Sequence, residues 1–194
     1  MLSALTHGCW MLYGLDDAAT AWLNGFAGQS HAVDLFMIAV TKAGVPLMVL
    51  GVAAQWWPGP GRHSERHVLV SCGLSFLLGL VLNQAILLFF HRIRPYDAGI
   101  THLLIAPSTD PSFPSDHATA AFAIVFGYLL NDRWRRAALF CTAALLLVAS
   151  RIYVGTHYLG DIVGGCTTAF LAALLVKATY VEGTAIDRWI TRLL

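Results

Sequence analysis

Residues 135–178 read RRAALFCTAALLLVASRIYVGTHYLGDIVGGCTTAFLAALLVKA. Two apolar runs, 135–151 and 159–178, flank a polar turn that carries Ser150, Arg151, His157 and Asp161. Each run approaches the ~20 residues a helix needs to cross the hydrocarbon of a bilayer. Ionisable groups at membrane depth are costly, so a cluster at the rim of apolar helices points to a functional site. His157 and Asp161 are four apart, and in a helix they share a face. A carboxylate bonded to one ring nitrogen leaves the other nitrogen's lone pair free to attack. Arg151 ends the first run and returns close to His157 after a short turn. Guanidinium suits bidentate contact with a phosphate. The other reading of this segment is a structural ion pair between Asp161 and Arg151 at headgroup level.

Outward from this hairpin the chain carries three further apolar runs, 31–57, 67–90 and 117–131. The first contains Gly44 and Pro46, which predicts a kink or two helices. The runs 117–131 and 135–151 are short, which predicts that their outer ends stop below the headgroups and leave a pocket. Residues 16–28 read as a helix lying on the membrane surface, with Trp22 and Phe26 on its apolar side. The expected fold is an all-α integral membrane bundle of five to six helices with a short N-terminal interfacial helix, one domain over 1–194. Composition demands lipid as solvent: 57% of residues are hydrophobic and 12% charged, against about 25% charged in soluble domains. A net charge of +1 excludes a nucleic-acid footprint. Cys9, Cys72, Cys141 and Cys166 form no CxxC pair and read as small buried hydrophobes. No Lys or Arg precedes the first apolar residues, unlike a cleaved signal peptide.

Basic residues set the topology. Arg62, Arg66, Arg133, Arg135, Arg136, Lys177, Arg188 and Arg192 are eight of the twelve lysines and arginines, and the five runs place them all on one side. That side is cytoplasmic by the positive-inside rule, with the N-terminus outside. Arg92, Arg94 and Arg151 fall on the outer side. So do Pro114-Ser115-Asp116-His117 and Arg94-Pro95, although neither entered the topology argument.

Pro114 and Ser115 before an apolar run read as a helix start, with Ser115 as N-cap and Asp116 in the first turn. Such an end presents free N–H groups and partial positive charge to an anion, and His117 projects from it. An ordinary cap followed by an interfacial histidine is the bland alternative. Arg94, with Arg92 and His91 before it, reads either as part of the site or as cations snorkelling to lipid phosphates. Asp97, His102 and Asp110 read as solvated. Asp34 and Lys42, eight apart, either pair or sit near helix ends. Gly160 and Gly164 allow a close helix contact. No HExxH or CxxC spacing is present and the arginines repel a cation, so no metal and no other cofactor is expected.

At these residues the sequence resembles the type 2 phosphatidic acid phosphatase superfamily. That family's pattern is Lys, six residues, Arg-Pro; then Pro-Ser-Gly-His; then Ser-Arg, five residues, His, three residues, Asp. The third part matches at Ser150, Arg151, His157 and Asp161. The second matches at Pro114, Ser115 and His117, with Asp116 for Gly. The first keeps Arg94 and Pro95, with Leu87 at the lysine position. The missing lysine, the Ser-Asp-His variant and Pro111-Ser112-Phe113 look most like bacterial undecaprenyl-diphosphate phosphatases of the bacitracin-resistance type. The resemblance implies a metal-independent lipid phosphatase of the bacterial cytoplasmic membrane, with its site on the outer face and a lipid (di)phosphate as substrate. His157 is then the nucleophile, Asp161 orients it and His117 protonates the leaving oxygen. Arg94, Arg151, Ser115 and the Asp116 backbone bind phosphate oxygens. Arg92 is a possible replacement for the missing lysine charge. Phosphatidate, phosphatidylglycerol phosphate and lipid A phosphate are alternative substrates, and transfer to another acceptor is an alternative to hydrolysis. The sequence carries no signal of oligomeric state.

Overall fold

Lipid offers a backbone no hydrogen bonds, so spanning segments must satisfy their own, and helices do this within one segment. The computed structural model describes residues 2–57 and 62–193, with side chains from 13–57 and 63–191. Among these residues it has seven helices: α1 (Leu2–Asn24), α2 (His31–Ala53), α3 (Arg62–Leu87), α4 (Asp116–Leu129), α5 (Trp134–Tyr153), α6 (Leu159–Thr179) and α7 (Ala185–Leu193). Helices α2, α3, α5 and α6 are long and apolar enough to cross a membrane. Large apolar side chains such as Leu47, Leu50, Leu77, Leu139 and Leu171 point outward and are exposed, as a lipid-facing belt requires.

Helix α4 is the axis of the bundle, packed against α3, α5 and α6. Its 14 residues rise about 21 Å, short of the bilayer core. It is lined by protein, with Ala118, Ala120, Ala121, Ala123 and Tyr128 buried. Small residues bring its neighbours close. A Cβ at Gly127 would stand 2.9 Å from Cys72 Cα, and one at Gly165 would stand 2.9 Å from Ala118 Cβ. The short axial helix therefore ends inside the bundle, and the site lies at its N-terminal end.

The five expected runs correspond to α2–α6. Helix α2 runs unbroken through Pro46, not as two helices. Proline removes one donor, but a break in lipid would orphan several backbone groups. Gly44 serves packing, since a Cβ there would stand 2.7 Å from Leu147 Cδ1. Helix α5 has 20 residues, so of the two runs expected to be short only α4 is. Helix α1 begins at Leu2 rather than residue 16, and Trp22 and Phe26 stay exposed in edge contact. Helix α7 was not expected at all. Asp34 does not pair with Lys42; it accepts hydrogen bonds from Tyr153 Oη at 2.7 Å and Gly28 N–H at 3.0 Å. Asp97, His102 and Asp110 are exposed, as read. Cys72 is buried, Cys141 and Cys166 are half-buried, and all three are free thiols. The Cys9, Arg62 and Arg192 side chains lie outside the described residues.

The basic loops gather at one end. Arg133 and Arg136 both pair with Glu65, Lys177 Nζ donates to Asn131 at 2.9 Å, and Arg66 Nη1 donates to the Thr191 carbonyl at 2.7 Å. Arg94, Ser115, His117 and His157 gather at the other.

Candidate active site

The turn 154–158 between α5 and α6 is built first by backbone chemistry. Gly155 adopts φ +85°, a left-handed conformation that favours glycine. The Thr156 N–H and Oγ1 both donate to the Arg151 carbonyl, closing the end of α5. The long loop 88–115 lies over this turn. Leu104 N–H donates to the Val154 carbonyl, and Arg94 Nη1 donates to the Thr156 carbonyl at 2.9 Å. His157 is thereby fixed just before α6, not within it.

His157 Nδ1 lies 2.9 Å from the Ser112 carbonyl and 3.4 Å from Asp161 Oδ2. A carbonyl can only accept, so Nδ1 carries the proton and Nε2 presents a lone pair. The expected Asp161 partner is present, but the nearer tautomer-fixing group is the Ser112 backbone. Asp161 is fully buried and well used. It accepts from Ser112 Oγ at 2.5 Å, Tyr158 N–H at 2.9 Å and Arg92 Nη1 at 2.9 Å. Asp161 does not pair with Arg151. Burial, aided by Arg151 and Arg94, pushes His157 below its ordinary value of 6.5, against the pull of Asp161.

The remaining residues close the ring. Arg94, His117, Arg151 and His157 all lie within electrostatic reach of one another, although they come from four separate segments. Arg94 and Arg151 are buried. Arg94 donates only to backbone carbonyls, from Nε to Asp110 at 2.8 Å and from Nη2 to Pro111 at a long 3.5 Å besides Thr156. Arg151 Nη1 donates to Thr41 Oγ1 at 3.1 Å, and its Nε is buried without a partner. Ser115 takes the N-cap position of α4 but its side chain does not cap. Its Oγ is buried and has no partner among the described residues, while its N–H donates to the Asp161 carbonyl. The first turn of α4 leaves its backbone N–H groups without intrahelical acceptors.

Asp116 is held from α3, by a residue one helical turn before Leu87. Asn83 Nδ2 donates at 2.8 Å to both Asp116 Oδ1 and Thr119 Oγ1, which turns the Asp116 carboxylate toward α3. Arg92 does not stand in for the lysine; it is held by Asp161 and Asp16. Sequence reasoning gave no role to Ser112, Asn83 or Asp16. Gly160 lets α6 approach Asp16 of α1, the close helix contact expected, while Gly164 meets the Phe113 ring of the long loop instead. Among the described residues no three His, Cys, Asp or Glu side chains stand together as a metal site.

An all-helical membrane bundle thus brings imidazoles and guanidiniums together at the end of a buried axial helix, a set of side chains suited to a phosphate. The PAP2 superfamily model matches residues 68–184, and the chain belongs to that superfamily. It is 33% identical over 156 residues to undecaprenyl-diphosphatase BcrC of Bacillus subtilis (strain 168), covering 79% of this chain and 78% of the relative. An undecaprenyl-diphosphatase of Sulfolobus acidocaldarius is 30% identical over 52% of this chain and 49% of its own. A PAP2 type phosphatidylglycerolphosphate phosphatase from Bacillus subtilis shares the fold, with a TM-score of 0.64 at 20% identity, over 90% of this chain and 89% of that one. The protein is thus a multi-pass membrane phosphatase acting on a lipid phosphate.

Proposed function

We propose that the chain hydrolyses undecaprenyl diphosphate to undecaprenyl phosphate and inorganic phosphate through a phosphohistidine on His157. One observation carries the reading. Two buried guanidiniums, Arg94 and Arg151, have no carboxylate partner among the described residues and lie within electrostatic reach of His117, two residues after Ser115, whose buried Oγ has no partner among the described residues either. Buried charge without compensation is expensive, so the arrangement suits a bound anion.

The terminal phosphoryl group sits at the α4 N-terminus, its oxygens held by Arg94, Arg151, Ser115 Oγ and the Asp116 N–H. His157 Nε2 attacks phosphorus. A P–N bond forms and the P–O bond to the lipid phosphate breaks. His117 protonates the leaving oxygen where a proton is needed; a phosphate leaving group is a weak base, so that demand is small. Water then attacks the phosphohistidine, His117 takes its proton, and phosphate leaves with His157 restored. Positioning and positive charge carry most of such a transfer. The site lies at the end opposite the basic loops, so positive-inside orientation puts it on the outer face of a bacterial cytoplasmic membrane. There the phosphates are wet and the tail stays in lipid. The relatives named undecaprenyl-diphosphatase support the substrate.

A substrate panel with purified protein tests this. Undecaprenyl diphosphate should give the highest kcat/KM, undiminished by excess EDTA. A higher value for phosphatidate, phosphatidylglycerol phosphate or a lipid A phosphate would overturn the substrate assignment.

A further inference from the structure

Helix α1 presents three polar side chains at a spacing of four: Asp16, Thr20 and Asn24. They share one face, and each is bonded to the frame of the site. Asn24 Nδ2 donates to the His102 and Tyr153 carbonyls, and Asn24 Oδ1 accepts from the His102 N–H. Thr20 Oγ1, fully buried, accepts the Leu159 N–H at 3.0 Å. Asp16 Oδ1 accepts the Gly160 N–H at 2.7 Å. With Asp161 taking the Tyr158 N–H, the first N–H groups of α6 are all occupied, two of them by α1.

Asp16 does a second thing. Its Oδ2 accepts from Arg92 Nη2 at 2.7 Å, and Arg92 Nη1 donates to Asp161 Oδ1 at 2.9 Å. The Arg92 guanidinium lies 3.7 Å above the Tyr158 ring. The Arg92 carbonyl accepts the Ser112 N–H at 2.8 Å, and Ser112 is the residue whose carbonyl holds His157 Nδ1. Arg92 thus grips both neighbours of the imidazole, one by its side chain and one by its main chain. Gly160 leaves the room, since a Cβ there would stand 2.8 Å from Asp16 Oδ2 and 3.2 Å from Arg92 Nη1.

We propose that Asp16 and Arg92 are positioning residues for the nucleophile: the chain Asp16–Arg92–Asp161–His157 makes the docking of α1 a condition for a correctly aimed imidazole. This rests on His157 being the nucleophile. Neither residue reaches the phosphoryl group. Each acts through Asp161 and Ser112, by geometry and by charge. Groups facing His157 are Asp161 from α6, Arg151 from α5, His117 from α4 and Arg94 from the long loop; Arg92 and Asp16 lie one and two steps behind Asp161.

The charge order gives a signature that a merely structural contact would not. Asp16→Asn removes one of the two carboxylates that hold Arg92 and leaves the surroundings of His157 more positive. Its proton binds less well, and the acid limb of kcat/KM moves to lower pH. Arg92→Gln removes positive charge beside Asp161, and the limb moves to higher pH. Shifts of about one pH unit in opposite directions are expected, with kcat down about tenfold and KM within twofold. Gly160→Ala keeps every charge and displaces the pair, so kcat should fall while the limb stays within a few tenths of wild type. Labelling with [32P]substrate and mapping phosphohistidine in wild-type protein separates the two readings. Failure to label His157 would overturn the nucleophile reading and the relay together. Label on His157 with unmoved limbs and unchanged kcat in Asp16→Asn and Arg92→Gln would overturn the relay alone. So would shifts of the same sign, or folded variants that change KM only.

Discussion

Among the described residues two buried histidine–aspartate pairs stand at opposite ends of the bundle, and their surroundings differ. At the site end His157 lies 3.4 Å from Asp161; at the far end His67 Nδ1 lies 2.9 Å from Asp187 Oδ1. By pair geometry alone the far end is the better catalytic dyad. Its surroundings decide otherwise. Asp187 also accepts from Tyr180 Oη at 2.6 Å and the Gly183 N–H at 2.8 Å, and His63 Nε2 lies 3.5 Å away. The His67 ring stacks on Tyr180 at 4.7 Å. Every partner there belongs to the closure of α7 on α3. At the site end the pair has Arg151 and Arg94 nearby, neither with a carboxylate partner among the described residues, and Ser115, whose N–H donates to the Asp161 carbonyl, keeps a buried hydroxyl with no partner among them. The lesson is that a His–Asp pair is recognised as catalytic by the unmet demand next to it, not by its own distance.

The strongest way to break this comparison is to remove each histidine in turn. His157→Ala should lower kcat by at least about 10³-fold, since loss of a covalent nucleophile removes the reaction path. His67→Ala should leave kcat within about twofold of wild type in protein that remains folded. Steady-state phosphate release from detergent-purified variants checks both. Comparable losses would mean that the far pair reports on catalysis too.

A smaller effect sharpens what unmet demand means. Ser115→Ala removes one oxygen donor aimed at the phosphoryl site and should lower kcat about 10²-fold, as deletion of a single oxyanion donor does. Tyr180→Phe removes a bond already made within the far cluster and should leave kcat unchanged. Equal kcat in Ser115→Ala and wild type would show that the buried hydroxyl does not meet substrate.

Legibility in the sequence follows from how far apart the interacting groups lie. Arg151, His157 and Asp161 fall within one turn and two helix ends, so spacing alone puts His157 beside Asp161 and brings Arg151 back close to His157. Apolar periodicity and length placed α2–α6, because lipid forces long uniform runs. The His67–Asp187 pair spans 120 positions, and no local pattern announces it. Ser112 contributes a backbone carbonyl, which any residue could supply. Asp16, Thr20 and Asn24 were visible at spacings of four, but the segment was read for Trp22 and Phe26 and its polar face passed over. Ser115 reads as a cap from its own residue type and as a phosphate ligand only through the resemblance; burial without a partner appears only in three dimensions.

The pH dependence distinguishes the two ends again. Burial with Arg151 and Arg94 alongside holds His157 below 6.5. If His157 is the nucleophile proposed above it must be neutral, so activity is lost as pH falls through that lowered value. The acid limb of kcat/KM should therefore lie below pH 6.5. A limb at or above 6.5 would mean that the imidazole is more exposed, or more strongly supported by Asp161, than its surroundings imply.

The smallest effect belongs to the far pair and concerns stability. Burial raises the carboxyl of Asp187, but hydrogen bonds from Tyr180, the Gly183 N–H and His67 outweigh it and hold it below the ordinary carboxylate range. A depressed carboxylate contributes stability that is present above its unfolded value and lost as pH falls through its folded one. At pH 7 the contribution is complete. Asp187→Asn keeps the shape, halves the acceptor capacity and removes the charge, which should cost about 1–3 kcal/mol. Thermal unfolding in detergent at pH 7 should show it as a drop of a few degrees, shrinking as the scan is moved toward pH 3. Because α7 closes on α3 at the end away from His157, kcat should not change. A variant that lost turnover while its unfolding temperature held would place a catalytic duty at the far end and erase the distinction between the two pairs.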